Sequence, residues 1–141
     1  MAESTVRMPP PSDPDSSPRS ILIVDDDSAV AETFSRMLKL EGYEVVTALE
    51  PEEGLRLAET LHPSAIILDM RMPIVNGLQF LRTLRSMPPL AKVPVAIVTG
   101  DYFMGEPVMN ELRSLGASVR FKPLWLEDLV ALARGLVTTG Q

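Results

Sequence analysis

A fivefold alternation of short apolar runs with segments of helical periodicity sets narrow bounds on the fold. Each apolar run has four to six residues, which suits a strand and is too short for a helix. The runs are ILIV (21–24), YEVVTA (43–48), AIIL (65–68), VPVAIV (93–98) and SVRF (118–121). Five strand–helix units predict an α/β fold with a parallel sheet covered by helices on both faces. Of the common doubly wound arrangements, we expect the flavodoxin-like five-stranded order 2-1-3-4-5.

The predicted helices follow the strands with recognisable start and stop signals. An Asp27 or Ser28 cap is expected to begin the first helix, and Gly42 suits the position just after its end. Pro51 is placed to open the second helix. The fifth helix is expected to end near Leu136.

Length and composition indicate one domain with a polar extension. The chain has 141 residues, and residues 1–19 are rich in Pro, Ser and Asp with little to bury, so we predict a disordered tail there. The predicted domain covers 20–137, and 138–141 form a short C-terminal tail.

Charge and residue usage exclude several classes of function. The formal net charge is −6, from 19 acidic and 13 basic side chains, which disfavours nucleic acid or an anionic membrane as the main partner. With no cysteine and one histidine, the chain cannot form a disulfide, a cysteine-based zinc site or a site of several histidines. The sequence shows neither a membrane span nor a secretory signal, so we expect a cytoplasmic protein.

Chemically active side chains stand where four of the predicted strands end. Strand 1 runs into Asp25-Asp26-Asp27, strand 3 into Asp69, strand 4 into Thr99-Gly100 and strand 5 into Lys122-Pro123. In doubly wound sheets these carboxyl ends flank the ligand crevice. Clustered carboxylates without nitrogen or sulfur ligands favour Mg²⁺ or Mn²⁺. A metal, a lysine and a hydroxyl around an aspartate predict phosphoryl transfer, with Asp69 best placed as the nucleophile.

The segment from Ser20 to Leu136 resembles the receiver domain of two-component response regulators. The motifs ILIVDDD, AIILDMRMPIVNGLQFL, VPVAIVTG and GASVRFKPL occur in the order and spacing of that family. Each motif alone is weak evidence, but four together in one short chain are highly specific. The resemblance implies that Asp69 accepts a phosphoryl group from a sensor histidine kinase or a histidine phosphotransfer protein.

The resemblance also implies a Mg²⁺ or Mn²⁺ site. By this comparison Asp26 is a direct ligand, Asp25 acts largely through water, and the carboxylate of Asp69 shares the ion. The backbone carbonyl of Arg71 completes the protein's contribution.

Further residues are implied to hold the transferred phosphoryl group. Thr99 and Lys122 each bind a phosphoryl oxygen, assisted by the backbone N–H groups of Met70 and Gly100. The Lys122–Pro123 bond is implied to be cis, which aims the lysine inward.

Other positions are implied to tune or transmit the signal. Arg71 and Asp101 flank the path of an attacking water; they either pair and slow hydrolysis, or Asp101 orients the water. Many receivers have Tyr or Phe three residues before the lysine, but here that switch position is Val119. We do not expect Phe121 to replace the missing ring.

Output is implied to pass through helix 4, strand 5 and helix 5 to a downstream protein, and a homodimer is left open. Because the chain ends just after helix 5, we expect no DNA binding by this chain and no effector domain. The protein is expected to catalyse only its own phosphorylation and dephosphorylation, and so not to be an enzyme acting on other molecules.

Three alternatives stay open. A phosphatase of the haloacid-dehalogenase type would use Asp25 and Asp27, which have the spacing of its Asp-x-Asp motif. A receiver-like binding domain would use the same surface without phosphorylation. A flavodoxin-like cofactor carrier is disfavoured because the turn after strand 1 is acidic.

Overall fold

One parallel sheet forms the centre of the molecule in a computed structural model of the chain. The structure describes residues 19–70, 74–100 and 104–139. Within these residues the sheet has five strands in the order β2-β1-β3-β4-β5. The predicted topology is confirmed. The strands are β1 (Ser20–Asp25), β2 (Glu44–Ala48), β3 (Ala65–Met70), β4 (Val95–Thr99) and β5 (Ala117–Phe121).

Five helices connect and follow the strands in the described residues. They are α1 (Ser28–Leu40), α2 (Pro51–Leu61), α3 (Ile74–Ser86), α4 (Glu106–Ser114) and α5 (Leu126–Thr139). None of these helices has the length and apolarity that a membrane span requires. A disordered tail is predicted for residues 1–19, and residues 1–18 lie outside the described part of the chain. The carbonyl of Arg19 accepts a hydrogen bond from the backbone N–H of Glu44, so this residue joins the domain.

Most strand ends differ from the predicted runs by one or two residues, and two ends extend furthest beyond the prediction. Strand β3 continues beyond Leu68 to Met70, because its last residues pair with β4 up to the Met70–Thr99 position. Asp69 therefore lies within the ladder rather than after it. Helix α5 continues beyond Leu136 to Thr139, and its extra turn buries Val137, which is only 6% exposed.

The apolar residues of the strands divide between two cores, one on each face of the sheet. On one face Leu22, Ile66 and Ile97 pack with residues of α2, α3 and α4. On the other face Ile23 and Ile67 pack with residues of α1 and α5. Because both faces are covered, the central strands are apolar without alternation, as buried parallel strands are. Because helices cover both faces of the sheet, polar groups are accommodated at the carboxyl ends of the strands.

Local signals place the first helix directly after the acidic run. Asp27 is the N-cap of α1, and its Oδ1 accepts hydrogen bonds from the N–H groups of Ala29 at 2.9 Å and Val30 at 3.2 Å. Gly42 follows the helix with φ +98°, a conformation that favours glycine. Both predicted limits of this helix are confirmed.

Candidate functional site

Two buried carboxylates lie side by side at the carboxyl ends of the central strands. Asp25 of β1 and Asp69 of β3 are register partners across the parallel ladder. Their residues are 0% and 1% exposed, respectively. Like charges so close and so well buried disfavour each other unless a cation lies near. The tertiary fold has therefore built a site that attracts positive charge.

Lys122 brings one positive charge to this site. Its Nζ lies 2.6 Å from Oδ1 of Asp69, an ion-pair distance. Within the described residues this buried oxygen accepts no hydrogen bond, so its partner at the site is the lysine charge. The backbone places the lysine: its N–H donates to the carbonyl of Thr99 at 2.9 Å, and the Lys122–Pro123 peptide is cis, as predicted.

Thr99 occupies the end of β4, between β3, which carries Asp69, and β5, which Lys122 follows. Its residue is 4% exposed, and it pairs in register with Met70 of β3 and Phe121 of β5. Gly100 follows it at the exposed end of the strand. The structure thus brings the hydroxyl-bearing residue, the lysine and the two buried aspartates to one edge of the sheet.

The three consecutive acids separate into different environments. Asp25 is buried, Asp26 is exposed and Asp27 caps α1 through its side chain. The backbone N–H of Asp27 also donates to Oδ1 of Asp25 at 2.9 Å. Sequence reasoning did not assign this contact, although an Asp that bonds the N–H two residues later is a common turn device.

Some predicted positions lie outside the described residues. These are Arg71, with its carbonyl and its tuning role, and Asp101. The backbone of Met70 is described at the end of β3. The role of its N–H group in binding a phosphoryl oxygen stays a prediction.

Comparison with protein families decides what kind of domain carries this geometry. A family model described as "Response regulator receiver domain" matches residues 21–134, which is most of the chain. The chain belongs to the response regulator receiver family.

Curated relatives of this receiver are longer proteins. The transcriptional regulatory protein PrrA of Mycobacterium leprae is 38% identical over 122 residues, which cover 86% of this chain and 51% of PrrA. The response regulator MprA of Mycolicibacterium vanbaalenii is 37% identical over 120 residues, with 85% and 51% covered. The receiver thus spans about half the length of the curated relatives that it matches.

Solved receivers have the same fold. A CheY-like response regulator receiver domain protein of Methanospirillum hungatei matches with a TM-score of 0.77 and 27% identity, over 88% of this chain and 97% of that one. The chemotaxis protein CheY4 of Vibrio cholerae matches with a TM-score of 0.75 and 26% identity, over 85% and 99%.

The donor set of this receiver fits a hard divalent ion. Within the described ranges no three acidic or histidine side chains gather into a metal cluster. Mg²⁺, however, keeps several waters and usually takes only one or two carboxylates from the protein. Buried Asp25 and Asp69, with exposed Asp26 beside them, supply such oxygens, and one lysine leaves the buried pair with a net negative charge.

The predicted switch position has a packing role in this receiver. Val119 is partly buried and packs against the core beneath α4, together with Leu112 and Leu115. Phe121, two residues later, is 37% exposed. An aliphatic side chain therefore stands where many receivers have a ring.

Proposed function

We propose that this receiver is a phosphoaccepting switch in which Asp69 is the nucleophile. The observation that carries the proposal is the buried Asp69 carboxylate with the Lys122 ammonium 2.6 Å away. The family membership supports the same reaction. A sensor histidine kinase or a histidine phosphotransfer protein is the proposed donor.

In the proposed reaction a carboxylate oxygen of Asp69 attacks the phosphorus of a phosphohistidine. A new O–P bond forms, the P–N bond breaks, and the histidine nitrogen leaves with the electron pair and takes up a proton. The product is an acyl phosphate on Asp69. Such a transfer depends mainly on positioning and on neutralising the phosphoryl oxygens.

Lys122 and Thr99 are proposed to receive the phosphoryl oxygens. The ammonium now contacts Asp69, so it is already in place to pair with an oxygen bound to that residue. Thr99 stands beside it at the end of β4 and offers a hydroxyl donor. The N–H groups of Met70 and Gly100 are proposed to donate to the same group, while the tuning roles of Arg71 and Asp101 rest on the sequence.

Magnesium or manganese would be held by Asp25, Asp26 and Asp69, with the carbonyl of Arg71. When bound, such an ion neutralises charge on the phosphoryl oxygens and on the paired carboxylates.

The proposed output passes through the face formed by α4, β5 and α5. Drawing Thr99 toward the phosphoryl group would bias this face between two arrangements. Because Val119 has no ring to swing inward, the motion would be carried by Thr99 and the backbone that links it to Lys122. The proposed partner is a downstream protein. The same proposal places the receiver in the cytoplasm and has it catalyse only its own phosphorylation and dephosphorylation.

The test is to incubate the chain with acetyl phosphate and Mg²⁺ and to weigh the intact protein. We expect the wild type to gain the mass of one phosphoryl group and Asp69→Asn to gain none. Asp27→Ala serves as a second arm, because a phosphatase of the Asp-x-Asp type needs Asp25 and Asp27. Label on Asp25, or loss of label in Asp27→Ala with label retained in Asp69→Asn, would overturn the proposal in favour of that phosphatase.

A further inference from the structure

A cavity of about 620 Å³ lies beside β5, mostly toward the amino ends of the strands, and Arg120 lines it at the register of Asp69. Its lining includes Val93 and Pro94, just before β4, and Gly116, just before β5. In parallel strands these amino ends lie away from the carboxyl ends that hold Asp69 and Thr99. The volume is in the usual range for small-molecule sites, roughly 300–1,000 Å³. None of Asp25, Asp69, Thr99 and Lys122 lines the cavity, so it is separate from the proposed phosphorylation site.

The charge on the cavity wall is opposite to the charge of the chain. Arg85, Lys92 and Arg120 line it, and no acidic side chain of the described residues does. The chain as a whole has a net charge of −6. Three cations around one concave surface produce a local positive potential, which concentrates anions.

Arg85 is held in place by backbone groups rather than by a carboxylate. Its Nε donates to the carbonyl of Leu115 at 2.7 Å and its Nη1 to the carbonyl of Leu90 at 3.0 Å. Its Nη2 lies beside Gly116, within 3.2 Å of where a Cβ would stand, and donates to none of the described residues. This guanidinium is partly desolvated by burial without a counter-charge, and the desolvation lowers its pKa. A fixed, desolvated guanidinium with a donor to spare is well suited to an anion.

A polar donor and an apolar wall complete the cavity. Ser118 lines it from β5, and its hydroxyl takes no hydrogen bond within the described part of the chain. From α5, Leu132, Gly135 and Leu136 form the other side. A Cβ added at Gly135 would meet no atom within 4 Å, so the helix leaves open space there.

We propose that this cavity binds a small organic phosphate of nucleotide size. Its phosphate groups would lie against Arg85, Lys92 and Arg120, and its apolar body along α5. Bare inorganic anions would use the cations and leave the apolar wall uncovered, so an organic body is favoured. Because α4, β5 and α5 all contribute to the wall, occupancy would act on the face that we propose for output.

The test uses ADP as the probe, with EDTA present so that no divalent ion occupies the aspartate edge. Titration followed by amide chemical shifts should give saturable changes centred on Gly116, Ser118 and Gly135. We expect ADP to bind more tightly than either pyrophosphate or adenosine. The same titration of Asp69→Asn should be unchanged, so the outcome does not depend on phosphorylation.

Two kinds of variant locate the site. Lys92→Ala and Arg120→Ala should each weaken ADP binding by about fivefold, since each removes a charged contact. Gly135→Leu should weaken it by filling the open space while leaving every charge in place. Lys39→Ala, at an exposed position of α1, is the matched control and should have no effect. Equal weakening by Lys39→Ala, shifts confined to the aspartate edge, or pyrophosphate binding as tightly as ADP would each overturn the proposal.

Discussion

Among single residues, the buried pair of Asp25 and Asp69 is the centre of the chemistry that we propose for this receiver. Two carboxylates with almost no exposure face one lysine, so the pair has an excess negative charge. Burying charge without full compensation costs stability, and such sites keep it because function uses the charge. Stability and metal affinity should therefore change together at this pair.

Asp25→Asn tests that link. Without Mg²⁺ the free energy of unfolding of the variant should be roughly 1 kcal/mol higher than that of the wild type. The variant should be more stable because one of two neighbouring buried charges is gone. Oδ1 of the new side chain can still accept from the N–H of Asp27. Excess Mg²⁺ should stabilise the wild type and have little effect on the variant. Urea unfolding with and without Mg²⁺ measures both.

Glu32→Gln is the matched control for this prediction. Glu32 is exposed on α1, and its pairing with Arg36 there is worth little. The free energy of unfolding of the Glu32→Gln variant, and its response to Mg²⁺, should match those of the wild type. An Asp25→Asn protein that is less stable than the wild type without metal and gains as much from Mg²⁺ would contradict the argument.

At the scale of elements, the acidic run both forms the site and starts a helix. Asp27 caps α1 through two hydrogen bonds to its side chain. Asp27→Ala should cost about 1 kcal/mol of unfolding free energy, and Asp27→Ser should recover most of it. Thermal or urea unfolding measures the difference. Equal stability of the Ala and Ser variants would show that the cap contributes nothing.

The contact of α2 with β1 gives a second prediction at this scale. A Cβ at Gly54 would lie 2.8 Å from Cγ2 of Val24, so helix and strand touch through a glycine. Gly54→Ala should lower the free energy of unfolding by about 1–2 kcal/mol, since overpacking outweighs the better helix propensity of alanine. In a Val24→Ala background this penalty should shrink.

Gly135→Ala is the control for the glycine in α2. It makes the same change in α5, where a Cβ meets nothing within 4 Å. The free energy of unfolding of that variant should rise by about 0.5–1 kcal/mol, because alanine is a better helix former than glycine. Urea unfolding of Gly54→Ala, Val24→Ala, their double variant and Gly135→Ala beside the wild type measures the set. If Gly54→Ala is also stabilising, the space between Gly54 and Val24 admits a methyl group and the expected overpacking is wrong.

In the whole molecule, the candidate site and the proposed output face are joined through the chain after β5. Lys122 contacts Asp69 on one side, and Trp125 begins the approach to α5 three residues later. Trp125 is 65% exposed, and its N–H donates to Oδ2 of Asp128 at 3.1 Å. Movement of the lysine toward a phosphoryl group should alter the surroundings of this indole.

The chain has a single tryptophan, so its fluorescence would report the proposed movement directly. We expect the emission to change and then saturate as acetyl phosphate is added with Mg²⁺. Asp69→Asn should give no change under the same conditions. A wild-type protein that gains a phosphoryl group by mass without any change in emission would show that the start of α5 does not respond.

The strand order and the convergence of polar strand ends follow from the pattern of residues along the chain. Short apolar runs alternating with helices leave few parallel arrangements, and handedness then puts the ends of strands 1, 3, 4 and 5 at one edge. Placing Asp69, Thr99 and Lys122 together required no knowledge of long-range contacts. The cis bond before Pro123 followed from the family motif.

The cap at Asp27 is among the sequence predictions, but which of Asp25 and Asp26 is buried and which is exposed depends on long-range packing. Adjacent residues such as Asp25, Asp26 and Asp27 have the same chemistry, and register with β3 together with the start of α1 gives them different environments. The cation-lined cavity likewise joins Arg85, Lys92 and Arg120, which are far apart in sequence. No local pattern predicts such a cavity, because it exists only where separate elements pack without filling the space between them.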